Sequence, residues 1–186
     1  FFELDKCWKN PKDIFIDAVQ KTAANHFADF DPERPFSFPP RKGSQDVAID
    51  CIVNAYKNGC KKFLLGAKCR FGKTFTSYKI MEKIGFVSTL IVTFRPTDTR
   101  DAWRNDLNTH QDFKSYQFFT QKELSDFEKF TGNKVLFVSY QKLKKDLNKF
   151  LNKYKNCFDL VIIDEDQIGG HRKENREIIK KLKPEL

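Results

Sequence analysis

The segment that ends in Gly72, Lys73 and Thr74 carries residue types that hold phosphate groups. It follows the short apolar run 63–65 and leads into an amphipathic stretch that predicts a helix over residues 73–83. Backbone N–H groups at a helix N-terminus attract anions, and the helix dipole adds to that attraction. Gly72 lets the backbone approach the phosphates, Lys73 reaches the β and γ oxygens, and the Thr74 hydroxyl suits Mg²⁺.

This strand–loop–helix context predicts a nucleotide-binding loop with Mg²⁺ as a cofactor. The full pattern has glycine at the first loop position, whereas this sequence has Ala67. A glycine-bent turn between strand and helix, with a surface lysine, is the alternative that remains open. The residues expected to contact the nucleotide are Ala67, Lys68, Cys69, Arg70, Phe71, Gly72, Lys73 and Thr74.

Two acidic residues, Asp164 and Glu165, follow the apolar run 160–163. Hydrolysis at a phosphate site needs a carboxylate at the end of a neighbouring strand. Asp164 is expected to hold Mg²⁺ through water, and Glu165 to orient and polarise the attacking water. Taken alone, an acidic pair after a strand also fits an ordinary solvated loop. Because parallel strands bring their carboxyl ends to one edge of the sheet, both acids and Lys73 are predicted to meet there.

Apolar runs separated by amphipathic stretches indicate the fold class. The runs are continuous rather than alternating, which is typical of parallel strands covered on both faces. The sequence therefore predicts an α/β domain with a doubly wound parallel sheet. Predicted helices span residues 45–58, 73–83, 122–130 and 142–154, with a further helix around Trp103 and Leu107 that Asp98 caps. Predicted strands span residues 63–65, 89–93, 114–119, 135–138 and 160–163.

The N-terminal region differs in character from the rest of the chain. Residues 11–30 predict one amphipathic helix, because Pro11 suits a first turn and apolar residues recur on one face. Four of the seven prolines lie in residues 31–44, which predicts a linker or a strap across the domain surface. We expect two units, an N-terminal helix with a proline-rich linker (1–40) and the nucleotide-binding domain (41–186).

The chain is basic, with 34 Lys and Arg against 25 Asp and Glu and a formal net charge of +9. The excess lies in residues 41–186, as expected of a domain that meets a polyanion, although solubility alone is the alternative. The five cysteines form no C-x-x-C pair, which favours reduced thiols over a zinc site or a disulfide scaffold. No apolar stretch approaches the roughly 20 residues of a membrane span, and no signal-peptide pattern opens the chain. We therefore expect a soluble, cytoplasmic protein without a membrane partner.

Four short motifs follow one another along the chain, with the sequences A-K-C-R-F-G-K-T, I-V-T-F-R-P, V-S-Y-Q and V-I-I-D-E-D-Q. In this order they resemble motifs I, Ia, Ib and II of superfamily 2 (DEAD/DEAH-like) helicases and translocases. The R-F-G-K-T and T-F-R-P segments are most similar to restriction-enzyme motor subunits and their bacteriophage relatives. The resemblance covers roughly residues 40–172 and implies the first of two RecA-like domains.

The resemblance implies ATP as the nucleotide and gives roles to further residues. Gln45 corresponds to a glutamine that reads the adenine in the family, although a glutamine that merely starts a helix is the alternative. Gln167 follows the acidic pair where common family forms have His or Asp, and a part in catalysis and in coupling ATP to nucleic acid is implied for it. Arg70 stands where many relatives have Gly. The positions implied on the nucleic-acid side are Thr93, Arg95, Pro96, Ser139, Tyr140 and Gln141.

These roles imply the N-terminal motor domain of an ATP-dependent DNA helicase or translocase, within a larger restriction- or nuclease-type protein. The expected partners are duplex DNA, a second RecA-like domain and a nuclease domain. The sequence matches none of the family's later motifs, and an arginine finger from the second domain contributes about 10³–10⁵ in rate. We therefore expect this chain alone to bind ATP better than it hydrolyses it. The alternatives are a non-hydrolysing nucleic-acid-binding or assembly module and, with less support, a P-loop small-molecule kinase.

Four lysines recur at helical spacing within the predicted helix 142–154. Such a stripe can hold a phosphate backbone without reading sequence. A solvated outer face of a packed helix explains the same pattern and is the favoured interpretation. The lysines are Lys142, Lys145, Lys149 and Lys153.

Overall fold

A computed structural model describes residues 33–68, 70–164, 178, 180–182 and 184 of the chain. Its centre is a four-stranded, all-parallel sheet with helices on both faces, so the predicted α/β class with a doubly wound sheet is confirmed. The predicted helix 11–30, Cys69, Glu165 and Gln167 lie outside the described residues.

The regular elements alternate along the chain. The α-helices are α1 (Gln45–Lys57), α2 (Lys73–Ile84), α3 (Pro96–Thr109), α4 (Leu124–Lys129), α5 (Tyr140–Lys145) and α6 (Leu147–Lys153). The strands are β1 (Ser88–Thr93), β2 (Tyr116–Thr120), β3 (Asn133–Ser139) and β4 (Leu160–Asp164), in the spatial order β2-β3-β1-β4. Short 3₁₀ turns precede β2 (Gln111–Phe113) and α4 (Gln121–Glu123).

Successive residues of the interior strand β1 pack into two separate hydrophobic cores, one on each face of the sheet. Leu90 and Val92 pack against the aromatic and aliphatic side chains of α4, α5 and α6, whereas Ile91 packs on the opposite face against α2 and α3. Every residue of β1 is buried. A strand covered on both faces needs apolar side chains at consecutive positions, which explains why its run is continuous.

The amino ends of β1 and β4 are joined by one carboxylate. Asp159 Oδ2 accepts the backbone N–H groups of Val87 and Ser88 at 2.8 and 2.9 Å. The Asp159 N–H in turn donates to the Ser88 carbonyl at 2.8 Å. This joint precedes the paired residues of β1 and β4, in which Thr89 lies opposite Leu160 and Thr93 opposite Asp164.

The strand predicted at residues 63–65 is wrong, because the described residues 61–68 contain neither helix nor strand. Phe63 and Leu64 are 36% and 86% exposed rather than buried. A run of three apolar residues offers few ladder hydrogen bonds and little buried area to offset the entropy lost on ordering. Among the described residues, β4 is therefore the edge strand of the sheet on this side.

Two predicted helices also differ from those observed. The helix expected over 142–154 is two helices, because Asp146 leaves helical geometry at φ −126° and separates α5 from α6. The helix around Trp103 begins at Pro96, so Asp98 lies inside its first turn and is not the cap. Proline suits that first position because its missing N–H has no partner there. None of the described helices is long and apolar enough to cross a membrane.

The proline-rich stretch crosses the domain surface as a strap over the end of α3, one of its two predicted forms. Phe36 forms a parallel bridge with His110, and its N–H and carbonyl bond the backbone of Thr109 and Gln111 at 3.1 and 2.8 Å. The Arg34 guanidinium donates to the carbonyls of Leu107 and His110 at 2.7 and 3.1 Å. A cation is favourable at this point because the last carbonyls of a helix lack intrahelical partners.

Candidate functional site

The loop that ends in Gly72 leads directly into the N-terminus of α2. Gly72 is the residue before the helix and adopts φ 84°, a left-handed conformation that favours glycine. Lys73 is exposed in the first turn and Thr74 beside it is half-buried. The orphan N–H groups of the first turn of α2 therefore lie next to an exposed lysine and a hydroxyl, the combination that suits a phosphate.

The rest of the predicted nucleotide loop surrounds this point. Arg70 also has a positive φ of 63°, and the Phe71 N–H donates to the Lys68 carbonyl at 3.2 Å, so the loop turns back on itself. Lys68 and Arg70 are exposed, whereas Ala67 and Phe71 are half-buried. The role of Cys69 stays a prediction, because that residue lies outside the described part of the chain.

Gln45 holds the loop from the start of α1. Its Nε2 donates to the Phe71 carbonyl at 2.7 Å, and its Oε1 accepts the Arg41 N–H at 2.9 Å. Gln45 is only 5% exposed, so its amide is committed to the loop in this structure. Reading of adenine by Gln45 stays a prediction.

Arg41 is a loop contact that sequence reasoning missed. Its guanidinium donates to the carbonyls of Arg70 and Phe71 and lies 5.8 Å from the centre of the Phe71 ring. Arg41 precedes α1, which begins at Gln45, and Gly43 between them has a φ of 72°, so no helical spacing signals this contact. Together the two side chains fix the loop backbone immediately before Gly72.

Asp164 ends β4 at the carboxyl edge of the sheet, as predicted. In the strand register it lies beside Thr93, the last residue of β1, and Thr93 lies beside Ser139, the last residue of β3. Three polar residues therefore form a row along the edge at which parallel α/β sheets bind ligands. Glu165 and Gln167, which follow Asp164, stay predictions because they lie outside the described residues.

Trp103 of α3 contacts the Asp164 end of this row, and no motif in the sequence indicates that contact. Its indole N–H donates to Asp164 Oδ2 at 3.0 Å, and the residue is only 3% exposed. The Trp103 carbonyl accepts the Tyr78 hydroxyl of α2 at 2.9 Å. Burial raises the pKa of Tyr78 well above its ordinary value, so the hydroxyl keeps the proton that it donates.

Some of the residues predicted on the nucleic-acid side form hydrogen bonds with one another. Thr93 is fully buried, and its hydroxyl accepts the Arg95 N–H at 3.1 Å and lies 3.1 Å from the Thr99 hydroxyl. The Thr93 side chain thus shapes the turn into α3, whose first residue is Pro96. Arg95 is exposed beside it.

Ser139 and Gln141 connect the segment after β3 with the segment after β1 through hydrogen bonds. The Ser139 hydroxyl donates to Gln141 Oε1 at 2.8 Å, and Gln141 Nε2 donates to the Phe94 carbonyl at 2.6 Å. Tyr140 is buried between them and stacks against Phe94 at 4.6 Å between ring centres. One side-chain hydrogen bond, from Gln141 to the Phe94 carbonyl, therefore joins the second and third predicted motifs, and their contacts with nucleic acid stay predictions.

The four lysines of the 142–154 segment are exposed, but α5 and α6 divide them. Lys153 pairs with Glu128 at 2.5 Å, and this hydrogen bond lowers the pKa of the Glu128 carboxyl. One continuous stripe does not form, because the break at Asp146 interrupts the helical spacing.

The fold and the residues at the carboxyl edge of the sheet together define a class of protein. It is an α/β domain with a candidate phosphate loop at the N-terminus of α2 and a carboxylate, Asp164, at the end of β4 beside β1. Residues 39–186 match the family described as type III restriction enzyme, res subunit, and the chain belongs to this family. This confirms the resemblance to superfamily 2 motor domains and the RecA-like fold.

A curated relative points in the same direction. The chain is 31% identical over 168 residues to the "Putative type II restriction enzyme and methyltransferase RM.MpnORF110P C-terminus" of Mycoplasma pneumoniae (strain ATCC 29342 / M129 / Subtype 1). The match covers 80% of this chain and 23% of that protein, so the chain spans about a quarter of the relative's length. The domain is thus helicase-like and related to restriction enzymes.

Proposed function

We propose that this chain is the first RecA-like domain of an ATP-dependent DNA helicase or translocase that works within a larger restriction-type protein. One observation carries the proposal: the phosphate loop at the start of α2 and the carboxylate of Asp164 are linked through Tyr78 and Trp103. The two halves of the proposed nucleotide site, on separate elements, would thereby share one set of contacts. Family membership supports the class of activity.

The residues at this edge fit a magnesium nucleotide. Thr74 offers a half-buried hydroxyl, and within the described residues only one Asp164 oxygen has a hydrogen-bond partner. Hydroxyl and carboxylate oxygens are the ligands that a hard cation such as Mg²⁺ prefers. When bound, Mg²⁺ neutralises charge on the β- and γ-phosphates. Lys73 would bind the same phosphates from the helix N-terminus.

Residues beyond Asp164 complete the proposed chemistry. Glu165 would orient and polarise the attacking water, and Gln167 would couple nucleotide to nucleic acid. Rapid turnover would require the arginine finger of a second RecA-like domain, which contributes about 10³–10⁵ in rate. The isolated chain is therefore proposed to bind ATP and to hydrolyse it slowly.

The nucleic-acid side would lie where β1 and β3 end. Arg95 presents an exposed cation there, and the Ser139–Gln141 link supports the neighbouring turn. Pro96 fixes the start of α3 directly after Arg95. Duplex DNA is the proposed ligand, and a nuclease domain is a proposed neighbour in the whole protein.

Equilibrium binding of a fluorescent ATP analogue with Mg²⁺ tests the proposal, with wild type and Lys73→Ala compared. Lys83→Ala is the matched control, because Lys83 lies in the last turn of the same helix and pairs with Asp50 at 2.9 Å. We expect micromolar-range binding that Lys73→Ala abolishes and Lys83→Ala leaves unchanged. Equal binding by Lys73→Ala and wild type would contradict the proposed site. No binding by any variant, with salt-sensitive DNA binding retained, would favour a non-hydrolysing nucleic-acid-binding or assembly module.

A further inference from the structure

Trp103 lies between the helix that follows the phosphate loop and the strand that carries Asp164. On one side the Tyr78 ring meets its indole edge-on, with 5.2 Å between ring centres and an interplanar angle of 88°. On the other side its N–H donates to Asp164 Oδ2 at 3.0 Å. The two hydrogen-bonded residues, Trp103 and Asp164, are 61 positions apart in the sequence.

A buried indole N–H usually has an acceptor, and most side-chain hydrogen bonds in proteins go to backbone or water rather than to other side chains. Here the acceptor is a carboxylate at the ligand-binding edge of the sheet, so the hydrogen bond is charge-assisted. It fixes the orientation of the Asp164 carboxylate and occupies Oδ2. Among the described residues the second oxygen has no hydrogen-bond partner, so it stays available to a ligand.

We propose that Trp103 is a positioning residue for Asp164, and through it for Mg²⁺ and the nucleotide. This inference rests on the proposed function. Hydrogen-bond partners of metal-ligating carboxylates typically contribute 10–100-fold to metal affinity, because they orient the ligand before the metal arrives. Trp103 also ties this carboxylate to α2 through Tyr78, so the two halves of the site share one support.

The first test is the Mg²⁺ dependence of binding of a fluorescent ADP analogue, measured for the full chain. Trp103→Phe retains an aromatic ring but removes the N–H, and should weaken the apparent Mg²⁺ affinity 10–100-fold. Tyr116→Phe is the control, because it removes a buried hydroxyl bond to the Phe86 carbonyl (2.9 Å) at the opposite end of the sheet. It should leave the Mg²⁺ dependence unchanged.

A double-mutant cycle separates positioning from packing. Asp164→Ala removes both the acceptor of the indole N–H and the carboxylate proposed to hold the metal. If Trp103 acts through Asp164, Trp103→Phe should have little further effect in the Asp164→Ala background. Equal weakening in both backgrounds would reduce Trp103 to a packing role and overturn the inference, while the proposed function would stand. If wild type binds no magnesium nucleotide, the proposed function and the inference both fail.

A spectroscopic measurement leaves Trp103 intact. The chain has two tryptophans, so Trp8→Phe leaves the Trp103 indole as the only one. In the ¹⁵N-labelled Trp8→Phe protein, this N–H resonance should move when Mg²⁺ is added to the ADP-bound chain. Asp164→Asn should abolish that movement. A resonance that stays fixed while magnesium nucleotide binds would overturn the inference even if Trp103→Phe failed to fold.

Discussion

Gly72 and Gly85 flank α2 and share a φ of 84°, which makes them a matched pair for substitution. A residue other than glycine in this region costs about 1–2 kcal/mol. A Cβ added at Gly85 meets no atom within 4 Å, whereas one at Gly72 would lie 2.5 Å from Gln45 Nε2. Gly85→Ala therefore measures backbone strain alone, and Gly72→Ala measures strain plus the displacement of Gln45.

Gln45 cannot move aside without losing its hydrogen bonds to the Phe71 carbonyl and the Arg41 N–H, at 2.7 and 2.9 Å. Each bond contributes about 0.5–1.5 kcal/mol net. We expect Gly85→Ala to lower the free energy of unfolding by about 1–2 kcal/mol and Gly72→Ala by about 2–5 kcal/mol. After Gln45→Ala, the Gly72→Ala cost should return to about 1–2 kcal/mol.

Urea unfolding followed by tryptophan fluorescence gives these free energies by linear extrapolation. The four proteins of the Gln45 and Gly72 cycle are measured together with Gly85→Ala. Equal costs at the two glycines would refute the reasoning, because the close approach of Gln45 would then contribute nothing. The same conclusion would follow if Gln45→Ala left the Gly72→Ala cost unchanged.

Two further predictions concern the strap and a helix start. Arg34→Gln should release the strap from the end of α3, because the hydrogen bonds from the guanidinium to the Leu107 and His110 carbonyls are lost. Limited proteolysis should then cleave near residue 36 at least several-fold faster, and an unchanged rate would contradict these contacts. Glu123→Gln should cost roughly 0.5–1 kcal/mol at pH 7, because the half-exposed carboxylate accepts both the N–H and the hydroxyl of Thr120 and loses its charge. These hydrogen bonds lower the Glu123 pKa, so the stabilisation is fully present above the unfolded-state pKa and is lost as pH falls through the folded one. Urea unfolding of wild type and Glu123→Gln between pH 3 and pH 7 should show the difference in their free energies of unfolding shrink on acidification. A difference that stays constant with pH would argue against a contribution from the Glu123 charge.

The sheet and its carboxyl edge could be predicted because strands buried on both faces leave an unbroken apolar signal. The runs at 89–93, 135–138 and 160–163 are all strands, and their ends bring Thr93, Ser139 and Asp164 into one row. The position of Asp164 in the fold followed directly from its place after the last run.

The failures have a common physical origin in tertiary contacts. The apolar run 63–65 indicates hydrophobicity, but it does not indicate whether a strand lies beside it to supply hydrogen bonds. The contact of Trp103 with Asp164 depends on how α3 packs on the sheet, and no local spacing encodes it. Arg41 reaches the same Phe71 carbonyl as Gln45 from a non-helical turn before α1, and no local spacing indicates that contact either.

Asp159 sets the register of β4 against β1, and Asp164, the last residue of β4, lies five residues further along the chain. Its carboxylate accepts the N–H groups of Val87, just before β1, and of Ser88, the first residue of β1, and its own N–H donates to the Ser88 carbonyl. Strands advance by about 3.3 Å per residue, so a slip of one position would carry Asp164 that far past Thr93 and turn its side chain to the other face. Hydrogen bonds at the amino edge of the sheet thus fix the strand register that places Asp164 at the carboxyl edge.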